Sequence, residues 1–159
     1  MSDKEQNIEK LHMLAQTGLV VFDGYCMLCS RTIDFLLKAD KGKKLSYAAV
    51  KFPESTSQTT SDDTVLYIEN NKNYSHSEAI IRILYKTGGI YKSAIILLVF
   101  PKKFRDLIYN IIAKNRYRWF GRKQQCKMLL NQEANRFCSV SPEVMAEFLM
   151  AFKSHLNGI

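Results

Sequence analysis

Two cysteines three positions apart, Cys26 and Cys29, are the residues of this sequence best suited to chemistry. They follow a short apolar run, residues 19–22, and stand where the spacing of apolar residues becomes helical. Residues i and i+3 at the start of a helix point the same way, so the two sulfurs can reach disulfide distance. The first cysteine would also lie near the positive end of the helix dipole, which lowers a thiol pKa. The pair therefore predicts thiol–disulfide chemistry.

The order of the two cysteines assigns their roles. A thiolate attacks a substrate disulfide, and a second thiol then resolves the mixed disulfide. We expect Cys26 to be the nucleophile and Cys29 the resolving thiol, with no cofactor, because the thiols carry the electrons. Asp23, three residues before Cys26, has two open interpretations. It could exchange a proton near the cysteines, or it could simply favour the turn that leaves the strand.

A zinc site is the main chemical alternative, because C-x-x-C is half of a four-ligand set. The other ligands would have to come from the remaining cysteines and the histidines, which are Cys126, Cys138, His12, His76 and His155. No second closely spaced cysteine pair exists in the sequence. We therefore expect no metal. Cys126 could be a third redox thiol or a packing residue, and the sequence favours burial.

The residues around the dithiol predict the elements that position it. The order is strand, helix, strand, loop, strand, hairpin strand and helix, followed by a helical C-terminal third. A βαβ unit followed by ββα, with C-x-x-C after the first strand, indicates an α/β, thioredoxin-like domain. We expect one domain, residues 1–159, with a core at 18–89 and a helical C-terminal extension at 90–159. The usual helix between the second and third strands is missing from the polar segment 51–63.

The composition excludes several classes of protein. The chain has 159 residues, which fits one domain, and 47% of them are hydrophobic, which excludes a disordered chain. Four cysteines are too few for a disulfide scaffold. The N-terminal residues lack the apolar core of a signal peptide, and the longest apolar run, 94–100, is too short to span a bilayer. The sequence thus predicts a cytoplasmic protein with reduced thiols.

The net charge of +8 is concentrated in residues 102–127, which contain nine basic residues and one acid. Basic residues interleaved with aromatics suit a nucleic-acid surface, and they equally suit a helix lying on an anionic membrane. A third interpretation treats the regular apolar stripe of this segment as core and its charges as the solvated face. The sequence favours this third interpretation for Phe104, Leu107, Ile108, Ile111 and Ile112.

Two sequence blocks resemble a known family. Residues 22–29 are similar to the D-G-x-C-x-x-C signature of the DCC family of predicted thiol-disulfide oxidoreductases. Residues 109–121, with Cys126 beyond them, resemble that family's C-terminal Y-x-x-I-A-x-N-R-Y-x-x-F-G…C segment. The similarity covers roughly residues 18 to 137. It implies a thioredoxin-like fold and thiol–disulfide oxidoreductase activity on a thiol or disulfide substrate.

Several residues are candidates for substrate contact. Thioredoxins place a cis-proline before the third strand, but residues 62–66 contain no proline, so Thr64 or Val65 would take that place. Arg116 or Arg118 could lower a cysteine pKa or bind an anionic substrate, and Tyr25 adjoins the nucleophile. The rival interpretation is a non-catalytic binding or redox-sensing protein whose basic segment 102–127 contacts nucleic acid or an anionic membrane surface.

Overall fold

The computed structural model describes residues 3–50, 65–70, 72–122 and 136–156. In chain order the elements are α1 (Asp3–Thr17), β1 (Leu19–Asp23), α2 (Met27–Ala39), β2 (Ser46–Val50), β3 (Leu66–Glu69), β4 (Lys72–Ser75), α3 (His76–Thr87), a 3-10 helix η1 (Gly89–Val99), α4 (Lys102–Phe120), β5 (Phe137–Val140) and α5 (Pro142–Leu156). The polar segment 51–63, where no helix is expected, lies outside the described residues.

The strands form one five-stranded sheet in the order β4-β3-β1-β2-β5. Strand β1 is parallel to β2, with Asp23 opposite Val50, and antiparallel to β3, with Leu19 opposite Ile68. Strands β3 and β4 form the antiparallel hairpin that precedes α3. This βαβ unit followed by ββα confirms the predicted α/β fold with a thioredoxin-like core.

Strand β5 corrects the prediction of an entirely helical C-terminal extension. It pairs in parallel with β2, with Tyr47 opposite Phe137 and Val50 opposite Val140, and it lengthens the sheet beyond the predicted core. Phe137, Cys138 and Val140 are all buried. A four-residue strand buried on both faces lacks the alternation of apolar and polar residues that identifies a strand in sequence.

Helices cover both faces of the sheet. In β1, Leu19 and Val21 face the cluster formed with α1 and α5, which includes the fully buried Phe148. Val20 and Phe22 face the opposite cluster, which α2, α3 and both cysteines of the dithiol share. The period of two along the strand thus divides the core into two layers, and the dithiol belongs to the layer on the α2 side.

A buried carboxylate fixes the edge of the sheet where β5 begins. Asp40, just after α2, is 1% exposed and accepts hydrogen bonds from the amides of Lys44 (3.0 Å) and Leu45 (2.9 Å). It also binds Nη2 of Arg136 at 2.7 Å, while Nε of Arg136 donates to the Leu45 carbonyl at 2.8 Å. The residue that precedes β5 is thereby tied to the loop that precedes β2.

The orientation of α4 corrects a second expectation. Its apolar stripe is exposed rather than core, with Phe104, Leu107 and Ile111 between 48% and 57% exposed. The helix turns its other side inward, and its one buried residue within the described chain is Arg116. The α4 helix therefore packs through a polar and aromatic face, which the spacing of its aliphatic residues did not reveal.

The described helices include none that is both long enough and apolar enough to cross a membrane.

Candidate active site

The dithiol lies at the junction between β1 and α2. Strand β1 ends at Asp23, residues 24 and 25 form a turn, and Cys26 is the N-cap of α2. The Gly24 amide donates to the Val50 carbonyl at 3.2 Å, which holds the turn against the end of β2. Sγ of Cys26 accepts a hydrogen bond from the Cys29 amide at 3.3 Å. The sulfur of Cys26 thus takes the place that an oxygen takes in most N-caps.

This arrangement separates the acidities of the two thiols. The pKa of Cys26 is lowered to about 7, chiefly by a hydrogen bond from the Cys29 thiol and further by the Cys29 amide and the charge of Arg116. Burial and the negative charge of Asp23 act against this lowering. The pKa of Cys29 is raised well above its ordinary value by the same shared hydrogen bond, by burial and by the negative charge of Cys26. The first thiolate to form is therefore on Cys26, the predicted nucleophile.

Asp23 is buried, with 4% of its surface exposed, and binds three groups. Its Oδ1 accepts a hydrogen bond from the Tyr25 amide at 2.9 Å, which is the turn role considered above. Its Oδ2 accepts a hydrogen bond from the Tyr117 hydroxyl and pairs with Nη2 of Arg116 at 3.5 Å. The carboxylate therefore links the turn before the dithiol to α4, and its charge also bears on both cysteines.

Of the two predicted arginines, the structure brings only Arg116 to the dithiol. Arg116 is 3% exposed, and its Nη2 donates to the Tyr117 hydroxyl oxygen at 3.1 Å. Its positive charge lowers the pKa of both cysteines. Arg118 lies two residues further along α4 and is exposed. The difference follows from helical geometry, since residues two apart face in nearly opposite directions.

Sequence analysis did not single out two tyrosines of this site. The Tyr117 hydroxyl donates to Asp23, and burial together with that hydrogen bond raises the pKa of Tyr117. The Tyr109 hydroxyl accepts a hydrogen bond from the Val65 amide at 3.0 Å, and burial raises the pKa of Tyr109. Tyr109, Arg116 and Tyr117 stand at i, i+7 and i+8, so helical spacing alone places them on one face. That spacing was the available signal.

An apolar cavity of about 520 Å³ lies beside Cys29, between the sheet and α2, α3 and α4. Cys29, Val65 and Arg116 are in its wall, and most of the remaining wall is aliphatic. Val65 and Cys29 thus line the same cavity. Tyr25 is half-buried beside Cys26, and Thr64 lies outside the described residues.

Residues 121 and 122, directly after α4, contact the start of α2 at Cys26 and Met27. Cys26 is 0% exposed and Cys29 is 8% exposed. The Met27 amide donates to the Gly121 carbonyl at 3.4 Å, and the backbones of Cys26 and Arg122 form an isolated antiparallel β-bridge. Both cysteines are free thiols. We call this arrangement, in which the Cys26 side chain is covered, the closed state.

Three of the further residues considered as zinc ligands, His12, His76 and Cys138, lie in the described part of the chain. No three His, Cys, Asp or Glu side chains converge there. The His12 ring lies against Phe148, His76 hydrogen bonds with the Ser75 hydroxyl, and Cys138 is in the core, where burial raises its pKa. Cys126 and the His155 side chain lie outside the described residues.

Comparison with known proteins agrees with this geometry. Residues 20–122, which contain the dithiol, Asp23, Arg116 and both tyrosines, match the family described as DCC1-like thiol-disulfide oxidoreductase. YuxK, an uncharacterized protein of Bacillus subtilis (strain 168), is 31% identical over 117 residues, which cover 69% of this chain and 85% of YuxK. The chloroplastic DCC family protein At1g52590 of Arabidopsis thaliana is 29% identical over 124 residues, with 69% of each chain covered. No solved structure matches the chain. The chain belongs to the DCC1-like thiol-disulfide oxidoreductase family.

Proposed function

We propose that this protein exchanges its Cys26–Cys29 dithiol with substrate disulfides. The observation that carries the proposal is the position of the two thiols at the start of α2, where Cys26 is the N-cap and its Sγ accepts a hydrogen bond from the Cys29 amide at 3.3 Å. The shifts of the two thiol acidities support it. The pKa of Cys26 is lowered to about 7, and the pKa of Cys29 is raised. A nucleophile with a pKa near ambient pH combines a large thiolate fraction with sufficient nucleophilicity.

The proposed reaction has two steps. The Cys26 thiolate attacks one sulfur of the substrate disulfide, forming a mixed disulfide and releasing the other substrate sulfur as a thiolate, which takes up a proton. Cys29 then loses its proton and attacks the sulfur of Cys26, which forms the Cys26–Cys29 disulfide and releases the second substrate thiol. Two electrons pass from the dithiol to the substrate. The reverse sequence oxidises a substrate dithiol.

Formation of the mixed disulfide at Cys26 changes the environment of Cys29. In the closed state the Cys26 thiolate raises the pKa of Cys29, because a second negative charge nearby is unfavourable. A sulfur in a mixed disulfide carries no charge, so that contribution disappears. Arg116 continues to favour the thiolate form of Cys29. The pKa of Cys29 is therefore lower in the mixed disulfide than in the reduced protein, while burial still raises it.

Access to Cys26 requires movement, because the sulfur is covered in the closed state. The cover consists of residues 121 and 122, which contact the start of α2 through one backbone hydrogen bond of 3.4 Å and one isolated β-bridge. We propose that this segment moves away when a substrate disulfide binds. Tyr25, Val65 and Arg116 lie around the dithiol, and they remain our proposed substrate contacts together with Thr64 and Arg118.

Serine substitutions test the assignment of the two cysteines. Cys26→Ser should abolish reduction of a protein disulfide, since a serine hydroxyl is not ionised at neutral pH. Cys29→Ser should form the mixed disulfide and accumulate it, because no second thiol resolves it. Turnover is measured with a thiol reductant, and the trapped species is identified by non-reducing electrophoresis and mass spectrometry.

Cys138→Ser is the matched control, because Cys138 lies in the other core cluster and should leave turnover unchanged. Wild-type turnover by Cys26→Ser would contradict the proposal. Trapping at Cys26→Ser rather than at Cys29→Ser would reverse the two roles.

A further inference from the structure

One face of α4 exposes six large apolar side chains. They are between 40% and 57% exposed and stand at helical spacing over four turns: Phe104, Leu107, Ile108, Ile111, Ile112 and Trp119. We refer to these six residues as the α4 apolar face. Monomeric soluble proteins rarely expose so many neighbouring apolar side chains, and contiguous patches of this kind mark interaction surfaces.

The 3-10 helix η1, which leads into α4, extends the exposed apolar surface. Every residue from Gly89 to Val99 is at least partly exposed, including Ile90 at 79%, Ile96 at 64% and Val99 at 84%. A 3-10 helix of eleven residues is unusually long. None of its residues is fully buried, so its outward-facing apolar side chains are available to a partner outside the chain.

Basic side chains border this apolar surface. Lys102, Lys103, Lys114 and Arg118 of α4 are exposed. Asp106 is the one acid of α4, and its carboxylate accepts hydrogen bonds from the hydroxyl and the amide of Ser77 on α3. The acid is thus engaged with α3 while the lysines face solvent. The surface therefore combines exposed aliphatic residues with positive charge.

We propose that the α4 apolar face and η1 bind the surface of an anionic lipid bilayer. Aliphatic side chains enter the interface between headgroups and acyl chains, while lysine and arginine contact lipid phosphates. Nucleic acid fits less well, because isoleucine and leucine can neither stack on bases nor hydrogen bond with them. A second copy of the chain also fits less well, since it would bring two basic borders together.

Binding in this orientation would direct the cavity beside Cys29 toward the bilayer. Leu97, Ile108 and Ile112 are exposed and also line that cavity. The apolar surface and the cavity are therefore continuous. The bilayer proposal goes beyond dithiol exchange and does not depend on it, because the apolar residues and lysines of this surface take no part in the exchange.

Trp119 provides an intrinsic probe of binding, since it is the single tryptophan of the chain and 56% exposed. The full chain is mixed with vesicles of phosphatidylcholine alone or of phosphatidylcholine with phosphatidylglycerol. With the anionic vesicles, tryptophan emission should shift to shorter wavelength and should be quenched by brominated acyl chains. Neutral vesicles should give weaker binding, and added salt should weaken only the anionic case.

Two variants of the proposed surface separate its apolar and charged contributions. Leu107→Glu/Ile111→Glu should lower partitioning into both kinds of vesicle by about tenfold or more. Its matched control is Met13→Glu/Met150→Glu, which changes two methionines on α1 and α5, across the sheet, that are 65% and 71% exposed. Lys103→Glu/Lys114→Glu should reduce binding to anionic vesicles only. Lys38→Glu/Lys41→Glu, at the end of α2, carries the same change in net charge and should bind like wild type.

Several outcomes would overturn the proposal. The first is an unshifted Trp119 emission with anionic vesicles, and the second is emission from the free protein that is already that of a buried tryptophan. A concentration-dependent dimer dissociated by Leu107→Glu/Ile111→Glu would instead identify an interface between copies. Duplex DNA binding lost in the lysine variant alone would identify a nucleic-acid surface. Cys26→Ser should bind vesicles like wild type, so failure of the dithiol chemistry and failure of membrane binding are distinguishable.

Discussion

At the scale of single residues, the acidity of Cys26 depends first on its hydrogen bond with the Cys29 thiol and then on two opposite charges held close together. Arg116 lowers the pKa of Cys26 and Asp23 raises it, and both groups are almost fully buried. The Tyr117 hydroxyl bonds with both of them, donating to Asp23 and accepting from Arg116. Because the ion pair is anchored in this way, its two charges act on the cysteine from fixed positions.

Removal of the Arg116 charge and removal of the Asp23 charge should shift the pKa of Cys26 in opposite directions. The thiolate absorbance of wild type should rise with pH, with a midpoint at about 7 for Cys26. Arg116→Gln removes a positive charge and should move that midpoint upward. Asp23→Asn removes a negative charge and should move it downward. Both are measured by ultraviolet titration of the thiolate in the reduced state.

Arg118→Gln is the control for these titrations, because Arg118 is on the same helix but exposed. It should leave the midpoint unchanged. Circular dichroism checks that each variant is folded, since breaking a buried ion pair costs about 3–5 kcal/mol of stability. Equal midpoints for Arg116→Gln and Arg118→Gln would contradict the role assigned to Arg116.

At the scale of elements, the sequence predicted the parts of the site that are local in the chain. The strand, turn and helix around Cys26 were readable because each has its own spacing and its own breakers. The face of α4 that packs against the core could not be predicted, because an amphipathic pattern shows that two faces differ but not which of them is buried. Here Arg116 and Tyr117 turn inward to bind Asp23, which lies 94 positions before Tyr117. Such a pairing depends on tertiary contacts.

Strand β5 was missed for a related reason. Its position depends on pairing with β2 and on Arg136, which binds Asp40 across 96 positions of the chain. Neither β2 nor Asp40 is near β5 in sequence. The residue types of a short strand buried on both faces are also compatible with a buried helix segment.

Gly121, directly after α4, is part of the segment that covers Cys26. Gly121 has φ 80° and ψ 177°, a backbone region that is essentially restricted to glycine. A Cβ at this position would meet nothing within 4 Å, so Gly121→Ala introduces backbone strain without a clash. The strain should cost about 1–3 kcal/mol and should loosen the contact with Met27. We expect faster alkylation of Cys26, measured by peptide mass spectrometry in the native protein.

Gly89→Ala is the matched control for this variant. Gly89 also has a positive φ, 61°, and open space around it, but it lies at the start of η1. It should destabilise the fold without selectively exposing Cys26. If alkylation of Cys26 increases only as much as global unfolding increases in both variants, the cover does not control access.

At the scale of the whole molecule, the two core clusters differ in their relation to the candidate site. The cluster with α1, α5 and Phe148 contains no residue of the candidate site, whereas the opposite cluster contains both cysteines of the dithiol. Strand β1 contributes to both clusters through alternate residues, so the two layers are coupled through one sheet. A substitution that destabilises the cluster on the α1 side should therefore also destabilise the region around the dithiol.

Unfolding should consequently be a single transition, as predicted for one domain. Phe148 is 0% exposed, and Phe148→Ala should lower the free energy of unfolding by about 3–5 kcal/mol. Far-UV circular dichroism reports the helices, and the rate of Cys26 alkylation in denaturant reports the dithiol. Both probes should shift to lower denaturant by the same amount, because coincident transitions are the signature of two-state unfolding. A shift in circular dichroism that leaves the Cys26 transition unchanged would show instead that the two layers unfold separately.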